Sequence, residues 1–326
     1  MASVLVFGEA TPNGLASITV ELIGAATRLS EGLGGGVACA LIGSDIQDVA
    51  QAAIAAGADT VYVADDAGLA QYQTETFLPI AAQIAAQDGA KVLLLGQTSL
   101  GRDLAPRLAT RLESAVAMDA LEMEADGDRV KVTRSCYGGN ARQVVVVRTD
   151  PQVITVRPKS QEPLAEDASR SGNVEPVAVS LAESRAPVVG KDTASSDGVR
   201  LEDARIVVSG GRGLGKAEAF ADLERLAGIV GAAVGASRAA CDLGWYPPSQ
   251  QVGLTGTVVS PDLYLAIAIS GASQHIAGCG GSKNIVAVNK DPDANIFRYC
   301  RFGIVDDYAN VLPALEEALG KALADA

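Results

Sequence analysis

The chain changes rhythm along its length. In the first third, short apolar runs at residues 4–7, 37–42, 60–63 and 92–95 alternate with stretches of helical periodicity at 17–29, 48–56, 74–86 and 104–112. Runs that are apolar at successive positions are buried on both faces. Their alternation with helices predicts a parallel sheet covered on both sides. The pattern then shortens. Residues 120–124, 129–133 and 143–148, with Gly-containing turns at 125–128 and 138–140, predict antiparallel strands appended to that sheet. Another short strand is expected at 153–156, and 174–180 is a further candidate. Residues 158–203 otherwise carry prolines and charges with little periodicity, and 189–201 is the best linker candidate. A second series begins at Arg205: strands at 205–208, 232–234, 263–269, 285–288 and 303–305, then an amphipathic helix at 311–323. The expected fold is α/β, with two three-layer domains of mostly parallel sheets: residues 1–188, a linker at 189–203, and residues 204–326.

Composition narrows what such a protein can do. The formal net charge of −13 repels phosphate backbones and argues against general nucleic-acid binding. The five cysteines (Cys39, Cys136, Cys241, Cys279, Cys300) form no CxxC pair, which argues against a zinc site or a disulfide framework and suits buried thiols in a reducing compartment. The first residues lack a basic segment and their apolar run stops at Glu9, so they read as a strand and not as a signal peptide. No apolar stretch approaches the roughly 20 residues that span a bilayer. A soluble, cytoplasmic protein is expected.

Candidate chemistry lies in the second half, where each strand runs into a small, polar or charged loop. These are Ser209-Gly-Gly-Arg-Gly-Leu-Gly215, Gly235-Ala-Ser-Arg238, Ser270-Gly-Ala-Ser-Gln-His275, Asn289-Lys-Asp291 and Asp306-Asp-Tyr308. In a parallel sheet such loops share one edge, where open α/β sheets bind ligands. Gly permits close backbone approach, helix N-termini offer free N–H groups, and Arg offers a forked donor, a set suited to a phosphate-containing ligand. Turns alone would explain the glycines but would not require Ser and Arg beside them. The run from Gly210 to Lys216 fits the start of a P-loop, but Ala217 stands where Ser or Thr would hold magnesium. Gly211, Gly213 and Gly215 also miss the GxGxxG spacing of nicotinamide-binding folds. His275 is the only histidine, no GxSxG elbow is present, and a polar role at the ligand edge is expected of it.

At these loops the sequence resembles the electron-transfer flavoprotein α-subunit family. The matching motifs are Val208-Ser-Gly-Gly-Arg-Gly-Leu214, Gly235-Ala-Ser-Arg-Ala-Ala240, Gln251-Val-Gly-Leu-Thr-Gly256, Leu263-Tyr-Leu-Ala-Ile-Ala-Ile-Ser-Gly-Ala-Ser-Gln-His275 and Ile285-Val-Ala-Val-Asn-Lys-Asp291. A weaker match continues through Ala25-Ala-Thr-Arg-Leu29 and Gly101-Arg-Asp-Leu-Ala-Pro-Arg107. The resemblance implies a Rossmann-like C-terminal domain that binds FAD. By the same resemblance Arg212 lies near the flavin or the FAD phosphates, and Ser237 and Arg238 touch the cofactor, Arg238 against the isoalloxazine. Thr255 offers its hydroxyl to flavin N5. Ser270 and Gly271, at a helix N-terminus, suit the pyrophosphate. Gln274 and His275 complete that loop, His275 near flavin O2. Asn289, Asp307 and Tyr308 hold the adenosine end, and Val252, Gly253, Leu254, Ala272 and Ser273 complete the cofactor-binding set. A donor at His275 and a positive charge at Arg238 would favour negative charge on the reduced flavin.

Three positions depart from the family pattern. Leu254 stands where many relatives have Gln, Ala268 where Gly or Asp is usual, and Ser273 where Ile or Val is usual. The last two are expected to concern packing. The resemblance also implies partners: a β-subunit that pairs with the N-terminal domain, flavin dehydrogenases such as the acyl-CoA dehydrogenases of fatty-acid β-oxidation as donors, and a membrane quinone oxidoreductase as acceptor. The linker would let the FAD domain swing between them. Such a chain is an electron carrier and not an enzyme by itself. Three alternatives stay open: a subunit of an electron-bifurcating, NADH-dependent flavoprotein complex, a flavin- or nucleotide-dependent oxidoreductase acting without a partner, and a nucleotide-binding regulatory module.

Overall fold

The structure is a computed structural model that describes residues 2–11, 14–137, 141–181, 186, 188–190 and 199–324. The chain divides into two compact units, one formed by described residues up to 136 and from 141 to 190, the other by Tyr137 and those from 199 onward. Of the linker candidate, residues 191–198 lie outside the described residues, as does the expected turn at 138–140. Leu201, inside the stretch read as linker, is 3 % exposed and packs into the core of the second unit.

In the first unit, β1 (Ala2–Gly8), a small hairpin of β2 (Ala10–Thr11) and β3 (Gly14–Leu15), α1 (Ser17–Leu33), β4 (Gly36–Gly43), α2 (Val49–Ala55), β5 (Thr60–Asp65), α3 (Thr74–Asp88), β6 (Val92–Gly96) and α4 (Ser99–Arg111) follow in order. After them come β7 (Val116–Asp126), β8 (Arg129–Cys136), β9 (Ala141–Val146), β10 (Gln152–Val156) and β11 (Asn173–Pro176). They form a nine-stranded sheet in the order β11-β5-β4-β1-β6-β10-β7-β8-β9. Successive side chains of a strand point to opposite faces, and β1 shows the consequence. Val4 and Val6 join one core with Ile18, Leu22 and Ile23 of α1. Leu5 and Phe7 join the other with Phe77, Ile80 and Ile84 of α3.

The appended strands differ from expectation in one respect. β8 and β9 are antiparallel additions, but β7 pairs parallel with β10, which returns late in the chain to insert between β6 and β7. Alternation within β7 could not reveal a neighbour contributed by later sequence. α4 also starts five residues earlier than the periodicity suggests. The Thr98 side chain accepts from the Gly101 N–H at 3.1 Å, capping a first turn that is poor in apolar residues.

The second unit contains β12 (Ile206–Gly210), α5 (Phe220–Val230), β13 (Ala233–Ala236), α6 (Arg238–Asp242), β14 (Leu263–Ile267), α7 (Ser273–Cys279), β15 (Asn284–Asn289), β16 (Phe302–Val305) and α8 (Tyr308–Ala324). All five strands are parallel, in the order β13-β12-β14-β15-β16. The chain moves outward from β12 to β13, then crosses back to lay β14 on the other side of β12. Loops leaving the C-terminal ends of β12 and β14 therefore diverge to opposite faces and open a crevice between them. One core packs Phe220, Leu223 and Leu312 against the sheet; the other packs Tyr264, Ile276 and Ile296. No helix among the described residues is long and apolar enough to cross a membrane.

Candidate functional site

A cavity of about 640 Å³ lies in the second unit at that crevice, within the size range of small-molecule sites. Gly211, Arg212 and Gly213 follow β12, Ser237 and Arg238 follow β13, and Ser270, Ala272, Gln274 and His275 follow β14. Asn289 ends β15, Lys290 and Asp291 follow it, and Asp307 and Tyr308 follow β16. A loop that precedes β14 contributes Gln251, Val252, Gly253, Leu254 and Thr255.

That loop is fixed against α7 by backbone contact. Leu254 N–H donates to the Gln274 carbonyl at 2.8 Å. A Cβ on Gly278 would lie 2.4 Å from Gly253 Cα, so the loop and helix meet glycine to glycine. Gln251 donates through Nε2 to Thr255 Oγ1 at 3.0 Å and orients that hydroxyl. Leu254 is 57 % exposed, so its side chain lies at the cavity and not in the core.

The polar groups divide into engaged and free. Asn289 Nδ2 donates to the Ile269 carbonyl at 2.9 Å, and its Oδ1 accepts from Asp291 N–H at 3.0 Å, so this amide ties two cavity loops together. Asp307 Oδ1 accepts from Ala309 N–H at 3.1 Å, and Tyr308 donates to the Leu214 carbonyl at 3.1 Å, leaving its ring toward the cavity. Arg238 pairs with Asp242 at 3.4 Å, four residues on. Arg212 and Lys290 have no ion-pair partner among the described residues, but Asp242, Asp291 and Asp307 share the cavity, so the lining is mixed in charge and not simply basic. Two buried atoms stand out: Ser237 Oγ and His275 Nδ1 have no hydrogen-bond partner among the described residues. A buried polar atom left unpaired costs about 1–3 kcal/mol, so both suit a ligand with polar atoms.

His275 is 7 % exposed, and its Nε2 lies 2.9 Å from the Tyr264 hydroxyl. Burial pushes its pKa down to about 4, against a smaller pull upward from the Val252 carbonyl. The imidazole is therefore neutral at physiological pH.

Of the sixteen expected site residues, Arg212, Ser237, Arg238, Val252, Gly253, Leu254, Thr255, Ser270, Ala272, Gln274, His275, Asn289, Asp307 and Tyr308 line this one cavity. Gly271 and Ser273 do not line it. Gly271 has φ +80°, and a Cβ there would lie 2.3 Å from Ile296 N, so close backbone packing requires the glycine. The helix after it starts only at Ser273, with Ala272 as N-cap. Ser273 is exposed and donates to Gln274 Oε1, so packing does not explain its departure from the family pattern. Sequence reasoning passed over Asp242 and Gln251. The Arg238–Asp242 spacing carried a readable i,i+4 signal, whereas the Gln251–Thr255 contact depends on a loop conformation with no sequence signature.

Comparison with known proteins bears on the whole chain. Residues 4–182 match the family model described as "Electron transfer flavoprotein domain", and residues 200–280 match "Electron transfer flavoprotein FAD-binding domain". The chain is similar to the electron transfer flavoprotein subunit alpha of Bacillus subtilis (strain 168), at 41 % identity over 96 % of each chain. The chain belongs to the electron transfer flavoprotein family. Its similarity to the subunit alpha of Megasphaera elsdenii is 39 %, over 98 % of this chain and 96 % of the relative. To the protein FixB of Clostridium saccharobutylicum it is 37 %, over 96 % and 94 %. The cofactor of this family's second domain is FAD, and the residues present fit it. The cavity sits at the switch point of a parallel sheet, it holds two orphaned buried polar atoms, and it combines Arg212 and Lys290 with the aromatic face of Tyr308.

Proposed function

We propose that this chain is the FAD-carrying α-subunit of a heterodimeric electron-transfer flavoprotein, pairing with a β-subunit and relaying electrons from flavin dehydrogenases, such as acyl-CoA dehydrogenases, to a quinone oxidoreductase or another acceptor. Its role is that of a carrier. The observation that supports this most directly is the cavity at the β12/β14 switch point, with Ser237 Oγ and His275 Nδ1 buried and unpartnered on its wall. FAD, when bound, supplies the electron-accepting and electron-donating chemistry.

The residues of this chain bind and tune. Ser270 and Arg212 take the phosphates, Arg212 as a fixed charge without a competing carboxylate partner among the described residues. Asp307 and the Tyr308 ring receive the adenosine end, with Asn289 bracing the loops between them. Arg238 and Thr255 face the isoalloxazine end, Thr255 oriented by Gln251. His275 holds a neutral ring there, and Leu254 covers the rim with apolar surface and excludes water. A cation and a fixed donor at this end favour negative charge on the reduced ring system.

Co-expression with the β-subunit, followed by an absorption spectrum and flavin quantitation, tests the reading. A yellow heterodimer with FAD stoichiometric to this chain is expected, and Arg238→Ala should lower its first one-electron potential. A stable heterodimer that purifies without flavin and takes up none would overturn it.

A further inference from the structure

Behind the cavity wall lies a buried polar cluster for which binding alone gives no reason. Tyr264, on β14, is 0 % exposed, and Ser209, on the neighbouring β12, is also fully buried. Burial holds the Tyr264 hydroxyl well above its ordinary pKa, so its proton stays on oxygen. Ser209 lies close enough to oppose that rise, yet its Oγ makes no hydrogen bond of good geometry among the described residues. A buried O–H requires an acceptor. The Cys279 thiol also approaches the hydroxyl, but the acceptor in good geometry is His275 Nε2, at 2.9 Å, with the two rings tilted by 54°.

A neutral imidazole carries a single proton, so a hydrogen bond accepted at one nitrogen leaves that proton on the other. We propose that Tyr264 is the positioning residue for His275, a residue of the cavity lining: its hydroxyl donates to Nε2 and so fixes the proton on Nδ1, the buried ring nitrogen that has no hydrogen-bond partner of good geometry among the described residues. The site then presents a neutral N–H donor whose direction is set from behind by a rigid central strand. The Val252 carbonyl beside the ring is consistent with a proton on the imidazole there, without forming a hydrogen bond of good geometry to Nδ1. As far as it concerns the flavin, the proposal rests on the function proposed above. The donor would face the part of the isoalloxazine where negative charge collects on reduction.

The test uses the heterodimer loaded with FAD and carrying isotope-labelled histidine. His275 is the only histidine of this chain, so signals absent from a His275→Gln heterodimer identify it. Long-range proton–nitrogen correlation spectra should show a protonated Nδ1 and an unprotonated Nε2. Tyr264→Phe keeps the ring and removes one oxygen. It should shift the proton to Nε2 or mix the tautomers, and make addition of the first electron roughly tenfold less favourable, as loss of one hydrogen bond to a charged acceptor implies; for one electron that is about 59 mV. An Nε2–H tautomer in the unsubstituted protein overturns the proposal even if the variant does not fold. Retention of Nδ1–H in Tyr264→Phe also overturns it, because the Val252 carbonyl or the ligand, and not Tyr264, would then hold the proton. A changed tautomer with an unchanged potential removes the role toward the flavin. A heterodimer that binds no flavin counts against the proposed function instead, and the tautomer remains readable in it.

Discussion

Ala268 follows β14 directly and has φ +56°, a conformation natural to glycine. An L-residue there costs roughly 1–2 kcal/mol, whereas glycine loses about 0.4–1 kcal/mol more conformational entropy on folding. Ala268→Gly is thus expected to stabilise by about 0.5–1 kcal/mol, read from urea unfolding; a loss of stability would mean the backbone is not held in this conformation. The same turn explains why β14 ends at Ile267 although the apolar run continues to Ile269. At Leu254 the side chain is exposed at the cavity, so Leu254→Gln buries no amide and should change stability by under about 0.5 kcal/mol. One hydrogen bond of about 0.5–1.5 kcal/mol to the reduced flavin should raise its first potential by roughly 20–65 mV. A potential within about 10 mV of the parent, well below one such bond, would show that the amide does not reach the ring.

At the scale of the element, α1 carries a titratable group on its buried face. Glu21 is 7 % exposed, and its Oε2 accepts the Lys159 backbone N–H at 2.6 Å. Burial raises its pKa from 4.5 to about 7, more than that hydrogen bond and the Lys159 charge lower it. The folded pKa lies above the unfolded value, so the associated stability is fully present below pH 4.5 and is lost as pH rises through about 7. Glu21→Gln cannot ionise and should gain on the parent by up to about 3 kcal/mol between pH 5 and pH 8. Denaturant midpoints of both proteins at the two pH values would settle the matter, and parallel pH dependence would show that Glu21 does not titrate in this range. The start of α1 and the central strands of the first sheet were legible because each element buries a regular set of apolar positions, whereas the last turn of α1, a helix read to 29 and ending at Leu33, is exposed or half-buried and leaves no such pattern. The starts of α4 and α8 were not, because a side-chain cap at Thr98 or Asp307 leaves no periodic trace.

At the scale of the whole molecule, the second sheet ends in an open strand. Phe302, Ile304 and Val305 of β16 are all exposed, and in the first sheet the edge strand β9 leaves Val144 exposed. Unpaired edges with apolar side chains invite further pairing. The chain expressed alone is therefore expected to self-associate, and with its β-subunit to run as a single heterodimer in light scattering. A lone chain that stays monomeric at high concentration would show that these edges need no cover.

The sequence by itself determined that the chain forms two α/β units, that polar Gly-, Ser- and Arg-containing loops follow the strands of the second, and which family those loops belong to. Periodicity reports which faces of an element are buried, and loop composition reports where backbone can approach a ligand. Both are local quantities. Only the tertiary structure decided that β10 inserts between β6 and β7 and that β14 crosses to the far side of β12. Strand order depends on hydrogen bonds between segments far apart in the chain, which no local pattern encodes. The same holds for the meeting of Gly253 with Gly278, and for Tyr264, which in its apolar run reads as one more core aromatic. Its hydroxyl gains a role only because a neighbouring helix sets His275 Nε2 at 2.9 Å from it, where a buried donor needs an acceptor.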